Sequence, residues 1–195
     1  MTDIQYLAPD TLDDAVSAYS GAAGAARILA GGTDLLVQMR FGLVSPGLII
    51  DIKKIAEVTG VEETADGGLK VGAAVSGAAL AKYAGFGEVW PGVLEALNLI
   101  GSTQVQGRAT LGGNLCNGSP AGDSVPALVA AGASVTVQGP DGRRDLAVED
   151  VPTEPGSTSL APGEIAVSFT FPKRPPGSGD AYLRMIPRTE MDIAV

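Results

Sequence analysis

The chain has 195 residues, 45% hydrophobic and 18% charged, which describes a globular protein long enough to bury a real core as one domain or two small ones. A net charge of -9 without any Lys/Arg cluster excludes a nucleic-acid surface, and the lack of histidine excludes a Ser-His-Asp or Cys-His constellation. One cysteine excludes an internal disulfide framework, and without histidine it excludes an iron–sulfur cluster or thiolate zinc site held by this chain alone.

In chain order, residues 4–7 read as a short strand, and Pro9-Asp10-Thr11 starts a helix in which Thr11 and Asp14 have capping-box-like spacing. Leu12, Ala15, Val16 and Tyr19 share one face of that helix, which ends at Gly21. A strand over 26–29 runs into Ala30-Gly31-Gly32-Thr33-Asp34, and a helix to about Met39 follows. The continuous apolar run 48–52 reads as a buried strand, completing a β-α-β-α-β unit near Ala56.

In the second unit, strands over 58–62 and 69–75 flank the hairpin turn Ala65-Asp66-Gly67-Gly68. Helices are expected over 76–83, with Ser76 as N-cap, and over 93–100 after Trp90-Pro91-Gly92. The stretch 110–123 reads as a Gly-rich turn around Gly112 and Gly113, and Asp123 and Ser124 then open an apolar helix over 125–131. Strands over 134–138 and 144–148 flank Gly139-Pro140-Asp141-Gly142. Residues 153–162 are polar and turn-rich, and 165–171 alternates as a strand. The segment 172–179, with three prolines and two glycines, reads as a linker, and 182–186 begins a further unit.

The two glycine pairs carry the chemistry. Each glycine lets backbone amides approach a ligand without a Cβ in the way, and successive N–H groups form an anion-binding concavity. Two such loops suit the two phosphates of a dinucleotide, with Asn114, Asn117 and Ser119 adding short hydrogen-bonding side chains. Neither a GxxxxGK[ST] loop nor a GxGxxG fingerprint is present. A chain poor in catalytic side chains and rich in such loops is what a cofactor carrier needs, with no catalytic residue and no metal ligand of its own. No apolar stretch is long enough to span a bilayer, and Met1-Thr2-Asp3-Ile4-Gln5-Tyr6 lacks the features of a signal peptide, so a cytoplasmic location is expected.

The stretches Ala30-Gly31-Gly32-Thr33-Asp34-Leu35-Leu36, Gly107-Arg108-Ala109-Thr110-Leu111-Gly112-Gly113-Asn114 and Arg188-Thr189-Glu190-Met191-Asp192-Ile193-Ala194 occur in one order. Together they resemble the FAD-binding medium subunit of the xanthine dehydrogenase and carbon monoxide dehydrogenase family, the molybdenum hydroxylases. The resemblance covers essentially the whole chain. It implies an α+β fold of two subdomains, 1–56 and 57–176, of the vanillyl-alcohol oxidase and MurB (PCMH) type, with FAD between them. Residues 177–195 would be a linker and the start of a third domain, truncated here, of roughly a hundred residues in the family.

The implied function is electron relay. A small subunit with [2Fe-2S] clusters and a large subunit with the molybdenum cofactor are the expected partners, in a dimer of heterotrimers. FAD on this chain would pass electrons to NAD, a quinone or another carrier. The alternatives are a free-standing MurB-like flavoprotein oxidoreductase and an assembly module that retains no FAD.

The resemblance also implies the cofactor-binding residues. Ile28, Leu29, Ala30, Gly31, Gly32, Thr33, Asp34 and Leu35 form the first set, and Ala109, Thr110, Gly112, Gly113 and Asn114 the second. The amides of 31–34 and of 110–114 are expected on the pyrophosphate, with the Asp34 side chain capping the following helix. Asn117 would line the same cleft. Asp123 would accept hydrogen bonds from ribityl or ribose hydroxyls, cap its helix, or do both. Ile100 would pack on the flavin edge, Ala166 near the isoalloxazine, and Arg184 would place a cation by the ring. Cys116 is expected as a small buried hydrophobe, Trp90, Phe41 and Tyr83 as core or subunit contact, and Arg40 and Arg108 as solvated surface.

Overall fold

A computed structural model of the chain describes residues 4–188 and 192–194. The first unit alternates strands and helices: β1 (Gln5–Leu7), α1 (Leu12–Gly21), β2 (Ala26–Leu29), α2 (Leu35–Arg40) and β3 (Leu48–Asp51). Its three strands are parallel, in the order β1-β3-β2, with Ile49 opposite both Tyr6 and Arg27. Parallel neighbours need crossover connections, and α1 and α2 supply them. The Thr11 side chain accepts the Asp14 N–H at 3.2 Å and donates to the Asp14 carboxylate at 2.6 Å, so α1 starts where the capping residues dictate.

The second unit contains α3 (Ala56–Thr59), β4 (Val61–Glu63), β5 (Leu69–Gly72), α4 (Gly77–Leu80), α5 (Phe86–Val89), α6 (Pro91–Asn98), α7 (Thr103–Gln106), α8 (Leu111–Cys116), α9 (Ser124–Ala130), β6 (Ser134–Gly139), β7 (Gly142–Ala147) and β8 (Ile165–Phe171). Its sheet is antiparallel, in the order β4-β5-β8-β6-β7. The last strand in sequence is therefore the middle strand in space.

That placement explains the composition of β8. Ile165 and Val167 join a core with Leu12, Val16, Ile50 and Val58. Ala166, Phe169 and Phe171 join a larger core with Val71, Phe86, Trp90, Leu97, Leu115 and Leu128. Apolar and polar residues alternate from Val167 to Phe171 as expected, but both faces of the strand are covered, so Ser168 is buried as well and only Thr170 is partly exposed. In the larger core Phe86 meets Phe171 edge-on at 5.5 Å, and Trp90 tilts against the same ring at 5.7 Å.

Several elements differ from the sequence reading. The expected strand over 58–62 begins as a helical turn, because Val58 is needed in the core beside Ile55, and β4 starts only at Val61. The Gly-rich stretch after Thr110 is not a turn: Gly112 and Gly113 lie inside α8, where Thr110 as N-cap accepts the Gly113 N–H at 2.9 Å. The short helices α5 and α7 carry no periodic signal and were unforeseen. Ser76 does cap its helix, accepting the Ala79 N–H at 3.2 Å.

Residues 172–188 have no regular secondary structure, yet they are held on the body. Arg174 pairs with Asp180 at 2.6 Å, donates to the Val89 carbonyl and lies 4.9 Å from the Trp90 ring centre. Asp180 accepts the Gly92 N–H at 2.9 Å, at the start of α6. Tyr182 N–H donates to Glu95 at 2.8 Å. Of the closing motif, Thr189, Glu190 and Met191 lie outside the described residues.

Candidate functional site

A cleft of about 540 Å³ opens between the two units. One wall is the loop from Ala30 to Leu35 with Gln38 of α2. The facing wall is α8, through Thr110, Gly112, Gly113, Cys116 and Asn117. The stretch from Gly156 to Ala166 closes one side.

The first wall is built as an array of donors. The N–H groups of Gly31, Gly32, Thr33, Asp34 and Leu35 have no hydrogen-bond partner among the described residues. Gly32 takes a φ of +79°, which glycine adopts without a Cβ clash. Gly31 is required for a different reason: a Cβ there would stand 2.0 Å from the Arg108 carbonyl oxygen, so the two walls meet backbone to backbone. Behind the loop, Lys53 Nζ donates to the Ala30 carbonyl at 3.0 Å and to Asp51 at 2.7 Å, while Tyr6 donates its hydroxyl to Asp51 at 2.7 Å. Burial works against the Asp51 charge, but the Lys53 and Tyr6 hydrogen bonds outweigh it and hold the carboxyl below its usual range. Arg108 Nε reaches the Gly31 carbonyl at 3.4 Å.

The second wall is different in kind. The Gly112 N–H donates to the Ala73 carbonyl at 3.1 Å, Gly113 to the Thr110 hydroxyl and Asn114 to the Thr110 carbonyl at 3.0 Å. Those three amides, expected on a ligand, are satisfied within the protein. A Cβ on Gly112 would stand 2.6 Å from the Ala73 carbonyl oxygen, so this glycine lets α8 approach the sheet. Asn114 turns inward as well, its amide oxygen accepting from Ser124 N–H at 3.1 Å and Ser124 hydroxyl at 2.6 Å. Asn117 faces the cleft and accepts from Gln38 at 3.1 Å, linking the two walls.

Of the residues singled out from sequence, Ile28, Ala30, Gly31, Gly32, Thr33, Asp34, Leu35, Thr110, Gly112, Gly113, Asn117 and Ala166 line the cleft. Leu29 and Ala109 are buried behind it. Ile100, Asp123 and Arg184 do not line it; Ile100 packs against the larger core, and Arg184 donates to the Leu99 carbonyl at 2.8 Å and to Asp123 at 3.4 Å. Tyr182 adds its hydroxyl to Asp123 at 3.0 Å, and burial, followed by that hydrogen bond, pushes the phenol up to about 12. Neither Asp34 nor Asp123 makes the side-chain cap expected of it. Asp34 is among the residues lining the cleft, and Asp123 is engaged by Tyr182 and Arg184 instead.

Cys116 is exposed on the cleft wall, not a buried hydrophobe, because the helical turn of α8 aims it outward while Leu115 faces the core. Phe41 is 72% exposed and outside the core. Arg27, Gln38 and the 156–165 stretch had no local signal; only the fold carries them to the cleft, and Lys53 to the back of its first loop. Glu164 lines it too, and the bidentate Arg144 guanidinium, at 2.7 Å to each oxygen, holds its carboxyl below the usual range. Among the described residues no cluster of His, Cys, Asp or Glu could hold a metal ion, and no helix is long and apolar enough to cross a membrane.

Comparison with known proteins decides the family. Residues 2–174 match the model of the FAD binding domain in molybdopterin dehydrogenase. The chain belongs to this family. Among curated relatives, the xanthine dehydrogenase FAD-binding subunit of Escherichia coli O157:H7 is 34% identical over 87% of this chain and 58% of its own length. The carbon monoxide dehydrogenase medium chain of Afipia carboxidovorans is 32% identical over 92% of this chain and 62% of its own. A reconstituted CO dehydrogenase from Oligotropha carboxidovorans has a chain that superposes with a TM-score of 0.93 at 30% identity, over 98% of this chain and 66% of that one. The molybdopterin dehydrogenase FAD-domain fold is therefore present, as an α+β arrangement of two sheets, and the chain spans less than two thirds of the length of these relatives.

Proposed function

We propose that this chain binds FAD in the cleft and serves as the FAD-binding part of a molybdenum hydroxylase medium subunit. The observation that carries the reading is the run of five partnerless amides from Gly31 to Leu35 facing the cleft. Buried or half-buried backbone donors without acceptors are costly, and a pyrophosphate satisfies several at once. The residues fit the group, with the first loop as the main anion cradle and α8 as the opposing wall.

Bound FAD supplies two-electron chemistry, and the chain's own residues bind, orient and shield it. Gly31, Gly32, Thr33, Asp34 and Leu35 would take the pyrophosphate, Thr110 and Asn117 its flanks, and Ile28 and Ala166 its apolar surfaces. Ile100, Asp123 and Arg184 would form a second contact region of the same cofactor. Electrons would come from the [2Fe-2S] clusters of a small subunit served by a large molybdenum subunit, and leave to NAD, a quinone or another carrier. The relatives' names, medium subunit and medium chain, support a complex of several subunits, and a cytoplasmic dimer of heterotrimers goes with this reading.

The test is purification of the chain followed by a visible absorption spectrum and identification of the released chromophore. A flavin spectrum with FAD released on denaturation is expected. Coexpression with an iron–sulfur subunit should give a complex whose clusters, once reduced with dithionite, reduce the flavin. A folded, colourless chain that ignores added FAD would sink the proposal and leave the assembly-module reading.

A further inference from the structure

The geometry points to Lys53, set by Asp51 and Tyr6, and to Arg108 as positioning residues that aim the Gly31 to Thr33 amides at the anion; this rests on the cleft being the FAD site. In a trans peptide the C=O of one residue and the N–H of the next share a plane and point in opposite directions. Whatever grips a carbonyl from behind thus directs the following N–H forwards. Three consecutive carbonyls of the first loop are gripped. Ala30 O accepts from Lys53 Nζ at 3.0 Å, Gly31 O from Arg108 Nε at 3.4 Å, and Gly32 O from the Leu36 N–H at 3.2 Å. The three N–H groups that follow, on Gly31, Gly32 and Thr33, belong to the five amides that have no partner among the described residues.

A loop with two adjacent glycines needs such restraint. Glycine explores φ of both signs, so either peptide plane could otherwise turn over and present a carbonyl to the anion. The grip comes from distant parts of the chain. Lys53 follows β3, Tyr6 lies on β1, and Arg108 precedes α8. The Asp51 carboxylate is the hinge of the arrangement. It takes the Lys53 N–H at 3.0 Å, Lys53 Nζ at 2.7 Å and the Tyr6 hydroxyl, so the ammonium has one place to stand. Because Asp51 neutralises Lys53, this lysine acts through orientation more than through its charge. Arg108 has no carboxylate partner among the described residues, so it contributes charge as well.

The experiment uses the flavin-stripped chain and three probes, FAD, FMN and riboflavin, titrated by flavin fluorescence. Lys53→Met keeps the aliphatic stem and removes the donor. It should weaken FAD about tenfold, the usual effect of losing one charged hydrogen bond, leave riboflavin unchanged, and lower the thermal midpoint of the flavin-free chain by a few degrees through the lost Asp51 pair, without unfolding it at the titration temperature. Lys53→Arg should restore most of the FAD affinity. If Lys53→Met fails to fold, Arg108→Met carries the same test on an exposed side chain. Equal FAD affinity in wild type and variants overturns the proposal, as does an equal loss for FAD and riboflavin. If wild type itself binds FAD no better than riboflavin, the site reading fails first, and the two failures are told apart by that one control.

Discussion

Gly31 and Gly113 each belong to a Gly-Gly pair, yet an added methyl meets different surroundings at each. At Gly31 it would stand 2.0 Å from the Arg108 carbonyl oxygen and 2.8 Å from its carbon, both backbone atoms. Backbone anchored in two elements does not yield, so Gly31→Ala should cost about 3 kcal/mol or more, the scale of overpacking in a tight site. At Gly113 the nearest atom is the Thr110 hydroxyl at 3.0 Å. Alanine gains roughly 0.5–1 kcal/mol over glycine inside a helix, so Gly113→Ala should stay within about 1 kcal/mol of wild type. Urea unfolding of the two variants checks the contrast; a Gly31→Ala chain as stable as wild type would mean that the walls do not touch there. Sequence revealed both pairs but could not distinguish them. The difference lies in what faces each α-hydrogen: at Gly31 the backbone carbonyl of Arg108 on a distant segment, at Gly113 only the hydroxyl of Thr110 in the same helical turn.

At the scale of elements, the segment 172–188 behaves as a strap on α6. Asp180 supplies an acceptor to the Gly92 N–H in the first turn of α6 and a counter-charge to Arg174; both side chains are 13% exposed. A carboxylate at a helix N-terminus and an ion pair out of water reinforce one another. Removing the carboxylate strands the Arg174 guanidinium over Trp90 and leaves the Gly92 donor without its acceptor. Asp180→Ala should therefore destabilise the chain by about 2–3 kcal/mol and speed proteolysis within 172–188. An unchanged cleavage pattern would show that the strap is held elsewhere. The prolines and glycines of this stretch made it read as a linker. Their contribution is real, since no regular element forms, but polar side chains decide that the irregular chain lies on the surface and not away from it.

Across the whole molecule, carboxylates paired with cations join distant segments. Arg143 grips Glu57 with two bonds of 2.5 and 2.7 Å, Arg144 grips Glu164, and Lys53 with Tyr6 grips Asp51. The Arg143 hydrogen bond holds Glu57 below its usual value, as Arg144 does for Glu164; at Asp51 the same outcome is reached against burial. A carboxyl whose pKa is lower folded than unfolded binds fewer protons in the folded state. Its stabilisation is complete above the unfolded value, near pH 4, and is lost as pH falls through the folded value. Stability should thus be flat from about pH 5 to 7 and fall steeply below about pH 4, and Asp51→Asn should flatten part of that fall. A stability curve that rises on acidification would contradict these pairings.

Much of the fold was legible because local rules agreed with the final packing. The capped start of α1, the strand-loop-helix around Gly31 and Gly32, the apolar run of β3 and both hairpins follow from turn chemistry and periodicity over a few residues. The Gly-Gly pairs and their neighbours, together with the closing 188–194 motif, also marked the family. Tertiary structure alone decided the rest. It put β8 in the middle of the sheet, made Gly112 and Gly113 part of a helix whose amides are internally satisfied, and turned Asp34 and Asp123 away from capping. It also brought Lys53, Tyr6 and Arg108 behind the first loop. The physical reason is common to all of these: a backbone amide's availability, or a side chain's partner, depends on which distant segment stands opposite it. Sequence proximity carries no information about that.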